Sequence, residues 1–169
     1  MTRATVPAAP ETIRVPCCDL NGRGRSLSIT PLVGGDILLV IPPGEIARLN
    51  ILQAHQFRER LRRAVFQSLC LSSNELSCTT SCTITGAAAV VRSAVPCVDT
   101  LGREFDLTVV SQFGEPITIL SPPGEHALLK PLEVGRLRGA MATAIDISSA
   151  RRVRVTPAAS PSPDLLAAG

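Results

Sequence analysis

The chain has 169 residues, 45% of them apolar and 18% charged, which suits one medium domain or two very small ones and is too short for a multidomain enzyme. That apolar content excludes a disordered chain, and no stretch approaches the ~18–20 apolar residues of a membrane span. With no segment of signal-peptide character either, the cytosol is the expected compartment and no membrane partner is expected.

The chain repeats itself at an offset of 80 residues. VPCCDLNGR at 15–23 matches VPCVDTLGR at 95–103, and PPGE at 42–45 recurs at 122–125. Over 15–69 against 95–149, 19 of 55 positions are identical without a gap. A match held in one register for that length marks a duplication, which has to be recognised before any other feature is read. The chain then divides into a tail (1–11), copy one (12–69), a Cys/Ser/Thr-rich connector (70–94) with room for a strand over 80–91, copy two (95–149), and a basic then Ala/Ser/Pro-rich tail (150–169).

Each copy reads as strands followed by a helix. The first strand is expected over 12–18 and, in copy two, over 88–98. Asn21-Gly22 then supplies the positive-φ residues of a tight hairpin. Alternation follows, with Leu27 and Ile29 inward and Ser26, Ser28 and Thr30 outward, matched by Phe105, Leu107 and Val109. A glycine turn (Gly34-Gly35, or Gly114 before Pro116) leads to apolar runs at 37–41 and 117–120. Pro-Pro-Gly-Glu fits a type II turn, Pro43 fixing φ and Gly44 taking the positive value. Short segments at 46–49 and 126–129 complete a fourth strand.

The helices have clear start signals. Asn50 with Gln53 three residues on forms a capping box, and Pro131 falls at a first helical position where its missing N–H costs nothing. The apolar stripes Ala54, Phe57, Leu61, Ala64, Val65 and Val134, Leu137, Met141, Ala144, Ile145 occupy the same aligned positions, so each helix buries one face. The expected fold class is therefore α+β: an internal duplication of a strand-rich unit of three or four antiparallel strands, closed by one helix, the two units packing as a pseudo-twofold pair.

Charge separates the copies. Seven Arg against four acids give +3 over 15–69, and four basic residues against seven acids give −3 over 95–149. Arg23 and Arg25 lie in or beside the first hairpin, and Arg58, Arg62 and Arg63 on the first helix. Guanidinium groups pair with phosphates and stack on bases, so these five arginines are the candidate nucleic-acid contacts. The six cysteines offer a second chemistry. Cys78 and Cys82 are separated by three residues, within zinc-ligand spacing, and Cys70 is near, but no second short-spaced pair completes a metal template. Cys17 recurs at Cys97, each after Val-Pro, which suits packing. His55 aligns with Gly135 and His126 with Ile46, and no phosphate loop, nucleophile elbow or paired-His motif is present. No enzyme activity, metal or cofactor is expected.

Asn21, Arg23-Gly24-Arg25, Leu27 and Ile29, followed by Phe57-Arg58 and Leu61, resemble the pattern of the tandem PUR (purine-rich-element-binding) repeat, and the strand–helix duplication is similar also to the whirly fold. The resemblance spans about 40 residues of copy one. Ser26 stands where PUR repeats carry an aromatic and Ser28 where they carry a basic residue, and copy two keeps only Gly102-Arg103. What it implies is single-stranded DNA or RNA held on the sheet and hairpin, with the repeats intertwined as one domain. The function expected is a non-enzymatic binding module for single-stranded nucleic acid. The alternatives are a protein–protein adaptor or homo-oligomer joining oppositely charged copies, and a thiol-based metal or redox protein.

Overall fold

A computed structural model describes residues 11–69, 90–122 and 124–155. Copy one supplies β1 (Ile13–Cys18), β2 (Gly24–Pro31), β3 (Ile37–Ile41), β4 (Glu45–Leu49) and α1 (Ile51–Leu69). Copy two supplies β5 (Val91–Val98), β6 (Glu104–Ser111), β7 (Ile117–Ser121), β8 (Glu125–Leu129) and α2 (Pro131–Val155). From β2 to β4 and from β6 to β8 the boundaries keep the sequence offset of 80.

The strands do not form the expected α+β pair of units, each closed by its own helix. They close into one antiparallel barrel in the order β1 to β8, a mostly β fold with two helices. Two seams make the closure. Arg48 of β4 pairs with Val98 of β5, and Cys18 of β1 pairs with Leu128 of β8. Alternation reveals which face of a strand points inward, but says nothing of what its edge meets. That is why the sequence suggests a packed pair of units, each closed by its own helix, and not one shared barrel.

Alternation itself places the core. Val15, Leu27, Ile29, Ile37, Leu39, Ile41, Ala47 and Leu49 are buried, as are Val95, Leu107, Val109, Ile117, Ile119, Ala127 and Leu129, while Ser28 and Thr30 are half-buried on the opposite face. Inward residues meet across strands, as in Val15 opposite Leu27, Ile29 opposite Leu39 and Val95 opposite Leu107.

Each helix rests chiefly on the other copy's strands. α1 packs on β5 and β6 with smaller contacts to β4 and β7, α2 packs on β1 and β2 with smaller contacts to β3 and β8, and the helices pack on each other. Their ends are tied down there as well. The Gly114 amide donates to the Ser68 carbonyl (3.1 Å) and the Ser111 hydroxyl to Gln67 Oε1 (2.8 Å) at the end of α1. Toward the end of α2, Ser148 Oγ donates to the Asp36 carbonyl (3.4 Å) and Arg151 Nη1 to the Pro31 carbonyl (2.6 Å). α2 runs to Val155, beyond the boundary at 149, so Arg151 and Arg152 are helical. β5 begins at Val91, and the rest of the strand considered over 80–91 falls outside the described residues, apart from Val90, which is not in a strand.

Caps form as the sequence suggests. The Asn50 amide donates to Gln53 Oε1 (2.8 Å) and the Gln53 amide to Asn50 Oδ1 (2.9 Å). In α2 the Lys130 amide donates to Glu133 Oε2 (2.7 Å). Gly135 and Gly139 are exposed within α2, and an added Cβ would meet nothing within 4 Å. Gly135→Ala and Gly139→Ala should each stabilise the fold by about 0.5–1 kcal/mol by restricting the unfolded chain and favouring helix. Calorimetry should show Tm rising by roughly 2–4 °C per kcal/mol, and a fall would mean that these positions need glycine.

Two turns differ from expectation. In the first hairpin the Gly22 amide donates to the Asp19 carbonyl (2.9 Å) and the Asp19 amide to the Arg23 carbonyl (3.0 Å), and Gly22 alone has a positive φ (72°). This is a type I turn followed by a left-handed glycine, in which Asn21 needs no positive φ. Copy two repeats it with Asp99, Gly102 and Arg103. At Pro-Pro-Gly-Glu, Gly124 has a positive φ (136°) but Gly44 does not, and the Pro42–Pro43 peptide is cis.

Candidate functional site

The duplicated Asp-x-x-Gly-Arg hairpin is held by its aspartate. Asp19 Oδ1 accepts from the Asn21 amide (3.0 Å) and the Arg23 amide (2.9 Å), and Asp99 Oδ1 accepts from Leu101 (2.7 Å) and Arg103 (2.9 Å). These bonds, the Arg23 and Arg103 amides foremost, hold both carboxyls below the usual carboxylate range. The signature therefore shapes the loop. The copies differ in the cation they use: Asp99 pairs with Arg103, whereas Asp19 pairs with Arg25 (Nε–Oδ2, 3.3 Å). The Arg23 side chain is left without an ion pair among the described residues.

On α1, one carboxylate organises two guanidiniums. Glu59 accepts from Arg62 through Nε (2.9 Å) and Nη2 (2.8 Å), and from Arg63 through Nε (3.2 Å). The Arg62 and Arg63 hydrogen bonds hold the Glu59 carboxyl down at about 2, and Glu59 in turn raises Arg62 above its ordinary value. Because the folded value lies below the ordinary 4.5, the triad is intact above that pH and is lost as pH falls toward about 2. Arg62 and Arg63 remain 61% exposed, with Nη1 of Arg62 and both Nη atoms of Arg63 unused within the described residues. Two positive charges around one negative leave the face cationic.

Arg58 behaves differently. It is half-buried, and its Nε is shielded from solvent without an acceptor, as is that of Arg138, its equivalent in copy two. The five sequence-predicted arginines thus fall into two groups. Arg58, Arg62 and Arg63 share α1, which rests mainly on copy two, while Arg23 and Arg25 belong to the β1–β2 hairpin, whose strands lie under α2.

One residue escaped the sequence reading. Phe66 is 56% exposed on α1, three and four positions after Arg63 and Arg62, and so on their face of the helix. The available signal was its place opposite the buried stripe Ala54, Phe57, Leu61, Ala64.

A cleft of about 370 Å³ lies between the β2–β3 turn, the start of α1 and the end of α2, lined by Gly34, Asp36, Asn50, Ile51, Leu52 and Arg152. Its polar groups are already engaged: Asp36 Oδ2 accepts from Arg48 Nη2 (2.6 Å), Asn50 caps α1, and the Arg152 stem packs over Gly35. This lining contains no nucleophile and no paired acid and base.

Among the described residues no cluster of three His, Cys, Asp or Glu could hold a metal, and Cys70, Cys78 and Cys82 lie outside them. Cys17 and Cys97 are buried and unpaired by disulfide. Burial pushes their thiols up to about 11 and about 12. Both exceed the ordinary 9, so between pH 9 and those values the unfolded chain loses protons that the folded chain keeps, and stability falls as pH rises. The slope is at most about 1.4 kcal/mol per pH unit for each thiol. Urea unfolding at pH 8 and at about pH 10.5 should show that loss, and Cys17→Ala/Cys97→Ala should flatten it. An equal loss in the variant would assign it elsewhere.

No described helix is long and apolar enough to cross a membrane. No protein-family model matches the chain, and no curated protein matches it.

Proposed function

We propose that this protein is a non-enzymatic binding module that holds single-stranded nucleic acid by its phosphate backbone through the outward face of α1. The observation that supports this most is the Glu59 triad: two exposed guanidiniums held in place by one carboxylate, with unused N–H donors. A guanidinium already fixed loses less freedom when it meets a phosphate, and its planar fork suits that partner. Arg62 and Arg63 are the principal contacts, with Arg23 a separate one at the hairpin tip. The resemblance to PUR repeats is a proposal of the same kind and favours the same ligand class, though it would place the ligand on the sheet and hairpin.

The test is a titration of fluorescent single-stranded DNA and RNA at two salt concentrations, with wild type and Arg62→Ala/Arg63→Ala side by side. Salt-sensitive binding that the variant weakens is expected. Absence of binding at low salt would remove the reading and leave the protein–protein adaptor in front.

A further inference from the structure

Half of this chain's aromatic side chains are out in solvent. Of four Phe, Phe57 is fully buried and Phe105 packs against the core, whereas Phe66 is 56% and Phe113 43% exposed. Both exposed rings lie at one end of α1. Phe66 sits in its last two turns, and the turn carrying Phe113 is fastened to the same end by the Gly114–Ser68 bond (3.1 Å) and, from β6, by Ser111 to Gln67 (2.8 Å). Position 113 aligns with Val33 and position 66 with Asp146, so the arrangement belongs to this end of the molecule alone.

An exposed ring has two chemistries open to it: burial against apolar surface, or stacking on a flat partner. The neighbouring charge distinguishes them. Phe66 follows Arg62 and Arg63 on one face, and cationic guanidinium beside an exposed ring matches phosphate beside an unpaired base. An apolar protein surface would instead have to cover two charged side chains next to the ring, at a desolvation cost.

Resting on the backbone-binding reading above, we infer that Phe66 and Phe113 form a base-stacking platform at the C-terminal end of α1, so that the ligand is a strand with splayed bases rather than a duplex or a bare polyanion. Arg62 and Arg63 hold the phosphates and the rings take the bases. Stacking on an aromatic ring strengthens binding by about tenfold per base, and every base has a π-face, so little sequence preference results.

The experiment compares three fluorescein-labelled probes of about 15 nucleotides: oligo-dT, an abasic strand of the same length and backbone, and a duplex. Proteins are the full chain as wild type, Phe66→Ala, Phe66→Leu, Phe113→Ala and Arg62→Ala/Arg63→Ala. Wild type should bind oligo-dT at least about tenfold more tightly than the abasic strand or the duplex. Phe66→Ala and Phe113→Ala should each lose about tenfold on oligo-dT and nothing on the abasic strand. Phe66→Leu should lose as much as Phe66→Ala, because an apolar side chain without a π-face cannot stack. The arginine variant should lose affinity for every probe. Equal wild-type binding of oligo-dT and the abasic strand, unmoved by the phenylalanine variants, would overturn the platform and leave backbone binding standing. Failure of every probe to bind at about 50 mM salt would overturn both. Phe variants that turn a dimer into a monomer in sedimentation, with oligo-dT binding unchanged, would make the rings a self-contact and overturn the platform.

Discussion

Residues 12–69 produced alone should form no folded monomer. The buried stripe of α1 finds its main partners on β5 and β6, which the fragment lacks. Phe57 and Leu61 are both fully buried in the whole chain, and leaving two such side chains in water forfeits about 3–6 kcal/mol. Net stabilities are only about 5–15 kcal/mol for a whole domain. Two fragments can supply each other's missing strands, because Val15, Cys17, Leu27 and Ile29 stand where the complete chain has Val95, Cys97, Leu107 and Val109. Sedimentation and circular dichroism should therefore show a concentration-dependent dimer whose helix signal disappears on dilution. A helical, cooperatively melting monomer would mean that α1 can bury its face on its own copy's strands.

Arg62→Ala/Arg63→Ala should have the largest effect on ligand binding. A hydrogen bond to a charged group contributes at least about 1.5 kcal/mol, so each lost guanidinium should weaken single-strand binding about tenfold. The plot of log affinity against log salt should flatten by about 1.4, at about 0.7 per phosphate contact. Folding should survive, since exposed ion pairs add little to stability. Glu59→Gln acts in the same direction. It loses the charge that fixes both guanidiniums, so they must be ordered when the phosphate arrives, and affinity should fall several-fold. If the double variant binds as wild type at every salt concentration and Glu59→Gln changes nothing, α1 is not the contact surface.

Periodicity made the inward faces legible. The 3–4 spacing around Phe57 and Leu137 and the alternation through Leu27 and Ile29 each report a side chain's direction, and directions are local. Partnership is not. Nothing between residues 51 and 69 announces that their apolar face will rest on strands some 40 residues later, and nothing in Arg48 or Val98 announces that they will meet. Asn21-Gly22 shows the same limit, because both hairpin forms accept that dipeptide and the bond from the Asp19 amide to the Arg23 carbonyl decides between them. Pro-Pro-Gly-Glu shows it most plainly: one tetrapeptide places its glycine at positive φ at 124 and not at 44, so its surroundings choose. At the candidate site, Arg62 and Arg63 were visible as charges. The carboxylate holding both was visible only as a neighbour, and Phe66 as nothing more than a residue off the apolar stripe.

Each seam of the barrel is a single residue pair wide, whereas β1–β2 is paired along six residues and β5–β6 along eight. Along a seam, amide protons are guarded by few backbone partners, so those of β1, β4, β5 and β8 facing it should exchange with solvent deuterium sooner than those on β2, β3, β6 and β7. The barrel is closed in outline but unevenly fastened: two shells, one from each copy, joined to one another chiefly by the helix that each lays across its neighbour.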